Sequence, residues 1–177
     1  GYFTKALGLY SHTEGIQTTA AGNSAHAEGF TTIASGDYSH SEGIQTIASG
    51  NRSHAEGSQT IASADYSHAE GFLSQATATA SHAEGQNNTA SGGASHAEGL
   101  NTTASGSYAH TEGATTKAVG DYSHAGGNAS TASGNTSFVF GTNSVAYGSN
   151  TIVLGSYLTG TTVTNTTYVE TLALMTI

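Results

Sequence analysis

Apolar and small residues alternate with polar ones along this chain in short runs, and nearly every run closes on glycine. SHAEG at residues 53–57 and TIASG at 46–50 show the two kinds. Such alternation suits β-strands, whose successive side chains point to opposite faces, and runs of about five residues are too short for helices. The pattern also keeps a fixed phase. Histidine stands at His12, His26, His40, His54, His68, His82, His96, His110 and His124, always fourteen residues apart, and these are all nine histidines of the chain. Glutamate follows two positions later at Glu14, Glu28, Glu42, Glu56, Glu70, Glu84, Glu98 and Glu112, with Gly126 in the ninth unit. A column of alanines runs unbroken from Ala6 through Ala20 and Ala34 to Ala146. A period this strict marks a solenoid.

Each unit holds two runs, hence two strands and two turns, which make one coil of a flattened roll. Neighbouring coils should lie about 4.8 Å apart, so eleven of them give a rod on the order of 50 Å long. The closing glycines are expected to supply the positive φ of tight turns. The side-chain period of two puts Thr18, Ala20 and Gly22 on one face, and sets Ser11 and Thr13 opposite His12 and Glu14. A coil this thin has room inside only for the constant small residues, so His and Glu must point out. The roll is expected over residues 1–155. A C-terminal connector or neck strand follows over 156–177, where the repeat dissolves into a segment carrying Val163, Tyr168, Val169, Leu172, Leu174 and Ile177. Gly1 is in register with Gly15, so a further unit is expected upstream.

Composition alone points elsewhere. Only 8% of residues are charged, and Ser, Thr, Ala and Gly dominate, as in disordered segments. The phase defeats that reading, because a linker has no reason to hold alanine and glycine at fixed positions. There is no cysteine, proline or tryptophan, and no apolar run approaches membrane-spanning length. Lys5, Arg52 and Lys117 are scattered, so no basic cluster offers itself to nucleic acid. The net charge of −9 would be brought to zero by nine protonated histidines.

A roll packed with Ala, Ser and Gly buries little apolar area, at about 25 cal/mol per Å², against roughly 1–2 kcal/mol for ordering each residue. It needs a partner surface. Past residue 135 the unit becomes TSFVFG and then NTIVLG, so Phe138 and Ile152 take the His position while Phe140 and Leu154 take the Glu position. Positions that accept these residues in an otherwise polar chain are expected to be buried between chains. The His/Glu face, continued by Phe138, Phe140, Ile152 and Leu154, is therefore the expected oligomer interface. The opposite outward column, from Thr19, Ile33, Ile47 and Ile61 to Lys117 and Val145, tolerates anything and reads as exposed.

The segment NSVAYG, residues 143–148, resembles the NSVAIG-type motif of the YadA-like head of trimeric autotransporter adhesins. The SHAEG/TIASG units look like the variant of that repeat found in bacteriophage tail-fibre and appendage proteins. The resemblance covers roughly residues 1–157. It implies an all-β, left-handed parallel β-roll in which three chains pack around one axis, so the expected partner is the chain itself as a parallel homotrimer. The His/Glu column departs from adhesin heads, which more often carry aliphatic residues there. That weakens any carry-over of matrix binding and favours the phage branch, as does the tail GTTVTNTTYVETLALMTI, which resembles tail-fibre connectors.

The chemistry of the column has several readings. One is a structural ladder in which imidazoles pair with carboxylates of the same or a neighbouring chain. Carboxylate pairing would then raise the histidine pKa values above about 6.5 and make the rod melt higher in mild acid. A second is a metal or other ion bound on the axis at one or two His rungs, since closely stacked ions would repel one another. An enzyme is not expected, because catalysis needs one distinctive constellation and every rung here repeats the last. The hexapeptide acyltransferases are solenoids with a histidine too, but their turn is longer. An ice-binding array is disfavoured because the regular column Thr18, Thr32, Thr46, Thr60 faces inward. No cofactor is expected. Tyr10, Tyr38, Tyr66, Tyr108 and Tyr122 fall at turns before the His strands, where they suit either turn packing or stacking on carbohydrate. Two functions follow: a rigid stalk of a phage tail fibre, or an adhesive module on a virion or a bacterial outer surface whose lateral face binds host glycan or protein.

Overall fold

The computed structural model describes residues 1–160 and the strand Thr167–Val169. The chain is an all-β parallel solenoid of about eleven turns. Strands alternate between two parallel sheets of twelve. One sheet begins at Lys5–Ala6 and ends at Thr159–Gly160; the other begins at His12–Ile16 and ends at Thr167–Val169. Pairing is in strict register, with His68 beside His54 and His82, and Ala76 beside Ala62 and Ala90. Pairing continues past residue 155, since Thr159 and Gly160 lie beside Val145 and Ala146. Of the apolar connector residues, Val163, Leu172, Leu174 and Ile177 lie outside the described residues.

The interior is as narrow as the sequence implies. The Ala column from Ala20 to Ala146 is fully buried, as are Ala27, Ala55 and Ala69 behind the histidines, and Val139 and Val153 are the largest apolar side chains enclosed. Thr18, Thr32, Thr46 and Thr60 are buried, so the threonine column does face inward. The serine before most of the histidines (Ala25 and Ala109 stand before His26 and His110) is a fastener: Ser39 Oγ donates to Gly36 O at 2.7 Å, and Ser53 Oγ to Gly50 O at 2.7 Å. It closes the turn with a group small enough to fit inside. Thr60 Oγ1 donates to Glu56 O at 3.0 Å, and Thr116 Oγ1 to Glu112 O at 3.0 Å. Asn88 replaces threonine once. Its Oδ1 accepts from Thr102 N at 2.8 Å and its Nδ2 donates to Gly99 O at 2.7 Å, which satisfies a buried amide.

The glycines divide into two kinds, which corrects the expectation that all serve a positive φ. Gly29 has φ +107°, and a Cβ there would also lie 2.1 Å from Gly43 O. Gly36, in the other run, does not take a left-handed φ. It is small because a Cβ would lie 1.9 Å from Gly50 O of the next coil. The left-handed conformation in the turns is adopted instead by non-glycine residues such as Tyr38 (φ 61°) and Gln45 (φ 56°). Bonds to the preceding coil hold them there: Tyr38 N donates to Asn23 O and Gln45 N to Phe30 O, both at 2.8 Å.

Candidate functional site

The outward face of the His sheet carries three rows. The first is the imidazoles. From His26 to His110 they stack coil on coil, with centroids 4.7–5.0 Å apart and planes within 12° of parallel. Strict parallel register causes this, since identical residues on adjacent strands sit one strand spacing apart. The column ends on Phe138, whose ring lies 4.7 Å from that of His124. The second row is the carboxylates. Each described pair joins a histidine to the glutamate of the preceding coil, twelve residues earlier, and not to the glutamate two residues along its own strand. His96 Nε2 is 3.1 Å from Glu84 Oε1, His110 Nε2 3.1 Å from Glu98 Oε1, and His124 Nε2 3.2 Å from Glu112 Oε1. Earlier pairs are looser, at 3.7 Å for His40–Glu28, 3.6 Å for His54–Glu42, 3.8 Å for His68–Glu56 and 3.9 Å for His82–Glu70. Nε2 of His26, His40, His54, His68 and His82 is buried and makes no hydrogen bond among the described residues.

The third row was not singled out in the sequence. Ile16, Phe30, Ile44, Phe72 and Leu100 follow the closing glycines, four residues after each histidine and so on the same face, and all are 40–50% exposed. The signal was present as a large apolar residue after SHAEG. It broke at Ser58 and Gln86 and escaped notice. The face then becomes wholly apolar at Phe138, Phe140, Ile152 and Leu154, which are 36–48% exposed on the single chain. Gly126 is explained here: a Cβ at that position would lie 2.6 Å from Phe140 Cδ2, so the ring occupies the space of the missing glutamate.

Electrostatics on this face overturn the expected direction of histidine titration. His54, His82 and His124 are held below the ordinary imidazole value, first by desolvation and then by repulsion from neighbouring imidazoles; the nearby carboxylates only partly oppose this. The carboxyl row divides its protons unevenly. Glu70 is pushed up to about 7 by hydrogen bonds shared with Glu56 and Glu84, and both neighbours are held low by their bonds to it. Of these three carboxyls, Glu70 therefore takes up a proton first as pH falls.

Donor atoms of His12, Glu14 and His26, and of four further groups up to Glu84, His96 and Glu98, lie within 4.8 Å of one another. Two nitrogens bound to one ion at about 2.1 Å can be no more than about 4.2 Å apart, so parallel imidazoles a full coil apart do not share one. His12 and His26 are not parallel but tilted by 56°, and their donor atoms form one of these groups with Glu14.

The YadA head domain repeat (two copies) matches residues 41–67, 83–109, 125–151 and 132–157. The roll is built of YadA-like head repeats. No curated protein matches the chain.

The tyrosines of this YadA-like roll form a separate edge. Tyr10, Tyr38, Tyr66, Tyr108 and Tyr122 all occupy the left-handed turn position and are 57–92% exposed. Arg52 lies between Tyr38 and Tyr66, its guanidinium 5.4 and 5.3 Å from their ring centroids, and donates to Tyr66 Oη at 3.2 Å. Tyr108 and Tyr122 stack at 5.0 Å. Beside them runs a ladder that sequence reasoning missed. Asn23 Oδ1 accepts from Leu9 N at 3.2 Å, Asp37 Oδ1 from Asn23 N at 2.8 Å, and Asp65 Oδ1 from Asn51 N at 2.9 Å. Each Asx side chain caps the turn of the coil before it, which is why Asn or Asp precedes so many of the turn residues.

Proposed function

We propose that the chain is one protomer of a trimeric, surface-exposed fibre module, packed through its His/Glu face, in a phage tail fibre or appendage. It acts there as a rigid stalk and as a host-receptor-binding segment. One observation carries the reading: a single outward face joins the stacked imidazoles, the Ile16–Phe30–Ile44 row and the exposed Phe138, Phe140, Ile152 and Leu154, over a core of alanine, serine and threonine. Three copies around an axis bury that face with no lateral edge left open. YadA-like head repeats are trimeric, surface-exposed units, which supports both assembly and location.

Sedimentation equilibrium tests the assembly. A mass three times that of the chain is expected, and a stable folded monomer overturns it. The family match itself favours a second setting, the head of a bacterial trimeric autotransporter adhesin binding host glycan or protein. The His/Glu column, where adhesin heads more often carry aliphatic residues, favours the phage. Sequencing the flanking gene region decides: an upstream virion-attachment region supports the phage setting, while a signal peptide with a C-terminal membrane anchor supports the adhesin.

A further inference from the structure

We propose that a notch at Ala80 and Ala94 binds an N-acetylhexosamine unit of a surface glycan. This deepens the receptor-binding half of the reading above. Along the turn edge two aromatic stacks are built, Tyr38–Arg52–Tyr66 and Tyr108–Tyr122. Between them the same position holds Ala80 and Ala94, leaving a notch of 320 Å³ lined by Thr79, Ala80, Gly93, Ala94, Ser107 and Tyr108. Architecture does not force the gap. Ala80 has φ 57°, the conformation its tyrosine counterparts adopt, and a Cβ on Gly93 would meet nothing within 4 Å.

The Asx ladder breaks at the same place. Above and below it, turn amides are capped by a side-chain oxygen from the next coil, as in Asn51 N to Asp65 Oδ1 at 2.9 Å and Ser107 N to Asp121 Oδ1 at 2.9 Å. Asp65, Thr79 and Gly93 face Thr79, Gly93 and Ser107, none of which carries such an oxygen, so among the described residues their three amides find no bonding partner. A row of backbone donors therefore borders a notch whose end wall is the open face of Tyr108.

The occupant has to supply what is missing. An acetamido carbonyl is chemically the amide oxygen that Asn23, Asn51 and Asn135 place at the equivalent positions. The pyranose CH face suits the Tyr108 ring, as amphipathic aromatic surfaces suit such contacts. With a net charge of −9, and with Arg52 already held between two rings, a neutral sugar fits better than an acidic one. In a trimer three notches would act together, so weak single-site binding gains by avidity.

Saturation-transfer NMR and titration calorimetry on the full chain test this, with the methyl glycosides of N-acetylglucosamine, N-acetylgalactosamine and glucose as probes. Transfer to the acetamido methyl is expected, with the glucoside weaker by about tenfold for loss of its hydrogen-bonding group. Ala80→Tyr fills the notch, and Gly93→Asp restores the cap on Thr79. Each should weaken binding by about tenfold or more, and Gly93→Asp should also raise the melting temperature, while Tyr10→Ala leaves binding unchanged. Arrays of bacterial surface polysaccharides and of mammalian glycans distinguish the source of the sugar: signal on acetamido sugars of either array that is lost in Gly93→Asp supports the proposal. Absence of transfer from a folded chain, or transfer undiminished in Ala80→Tyr, overturns it. Sedimentation of the same samples separates the two readings, because a trimer that ignores the sugars sinks the notch alone, and a monomer sinks the assembly alone.

Discussion

His96 Nε2 and Glu84 Oε1 lie 3.1 Å apart across two coils, and from His40 to His124 each histidine finds its carboxylate on the coil before its own. This pairing does not set the direction of titration. Burial and repulsion between neighbouring imidazoles hold His54, His82 and His124 below 6.5. The unfolded chain then takes up protons more readily than the folded one, so the contribution of these groups is present above the unfolded value and is lost as pH falls through the lower folded values. Replacing all three with glutamine removes the loss. Relative to the parent, the triple variant should gain about 2–4 °C in melting temperature between about pH 8 and pH 5, a modest figure because the side chains are partly solvated. Circular dichroism melts across that range read it; a variant that loses ground on acidification would show that carboxylate pairing governs after all.

Glu70 works with the opposite sign. Its carboxyl is pushed up to about 7, so the folded chain holds a proton the unfolded chain releases, and the contribution is present at low pH and lost as pH climbs through about 7. Glu70→Gln keeps a neutral donor between Glu56 and Glu84 at every pH. It should match the parent near pH 5 and exceed it near pH 8 by about 0.5–1 kcal/mol, a surface-scale value for a group about a third exposed. Equal melting temperatures for the two proteins at both pH values would mean that no proton is shared along the row.

The coil period, the two-strand unit and the inward threonine and alanine columns were legible because a fourteen-residue phase allows one assignment of faces. The diagonal His–Glu pairing was not, since whether a side chain reaches along its own strand or across to the previous coil depends on rotamers that periodicity does not carry. For the same reason the histidine shift was expected upward: the carboxylate beside each ring is visible in sequence, whereas ring-on-ring stacking at 4.8 Å and the desolvation it brings are not. The role of Gly36 was hidden because a conformational glycine and a close-approach glycine look alike in a string of letters.

Gly29 and Gly93 should respond to alanine in opposite ways. At Gly29 the φ of +107° and the 2.1 Å approach to Gly43 O both oppose a side chain, so Gly29→Ala should cost about 2–4 kcal/mol. At Gly93 nothing lies within 4 Å and φ is not left-handed, so Gly93→Ala should be neutral or gain about 0.4–1 kcal/mol by restricting the unfolded chain. Urea unfolding of both variants measures this, and similar losses would mean that the two turns are equally crowded.

Phe140 separates a free face from a buried one. On the single chain it is 48% exposed, its ring filling the space left at Gly126. If it faced only water, Phe140→Ala would change stability by no more than about 0.5 kcal/mol. If three copies meet there, the ring is enclosed and truncation should cost about 3–5 kcal/mol per chain, appearing as dissociation at concentrations where the parent stays trimeric. Glu56→Ala belongs to the polar part of the same face, where on the single chain its carboxylate is 34% exposed and the nearest imidazole nitrogen, on His68, is 3.8 Å away. Its cost should stay near the about 1 kcal/mol of a surface pair. Sedimentation equilibrium through a dilution series, run on both variants, orders them: Phe140→Ala should release monomer first. The reverse order would place the anchor of the assembly among the histidines rather than at the apolar end.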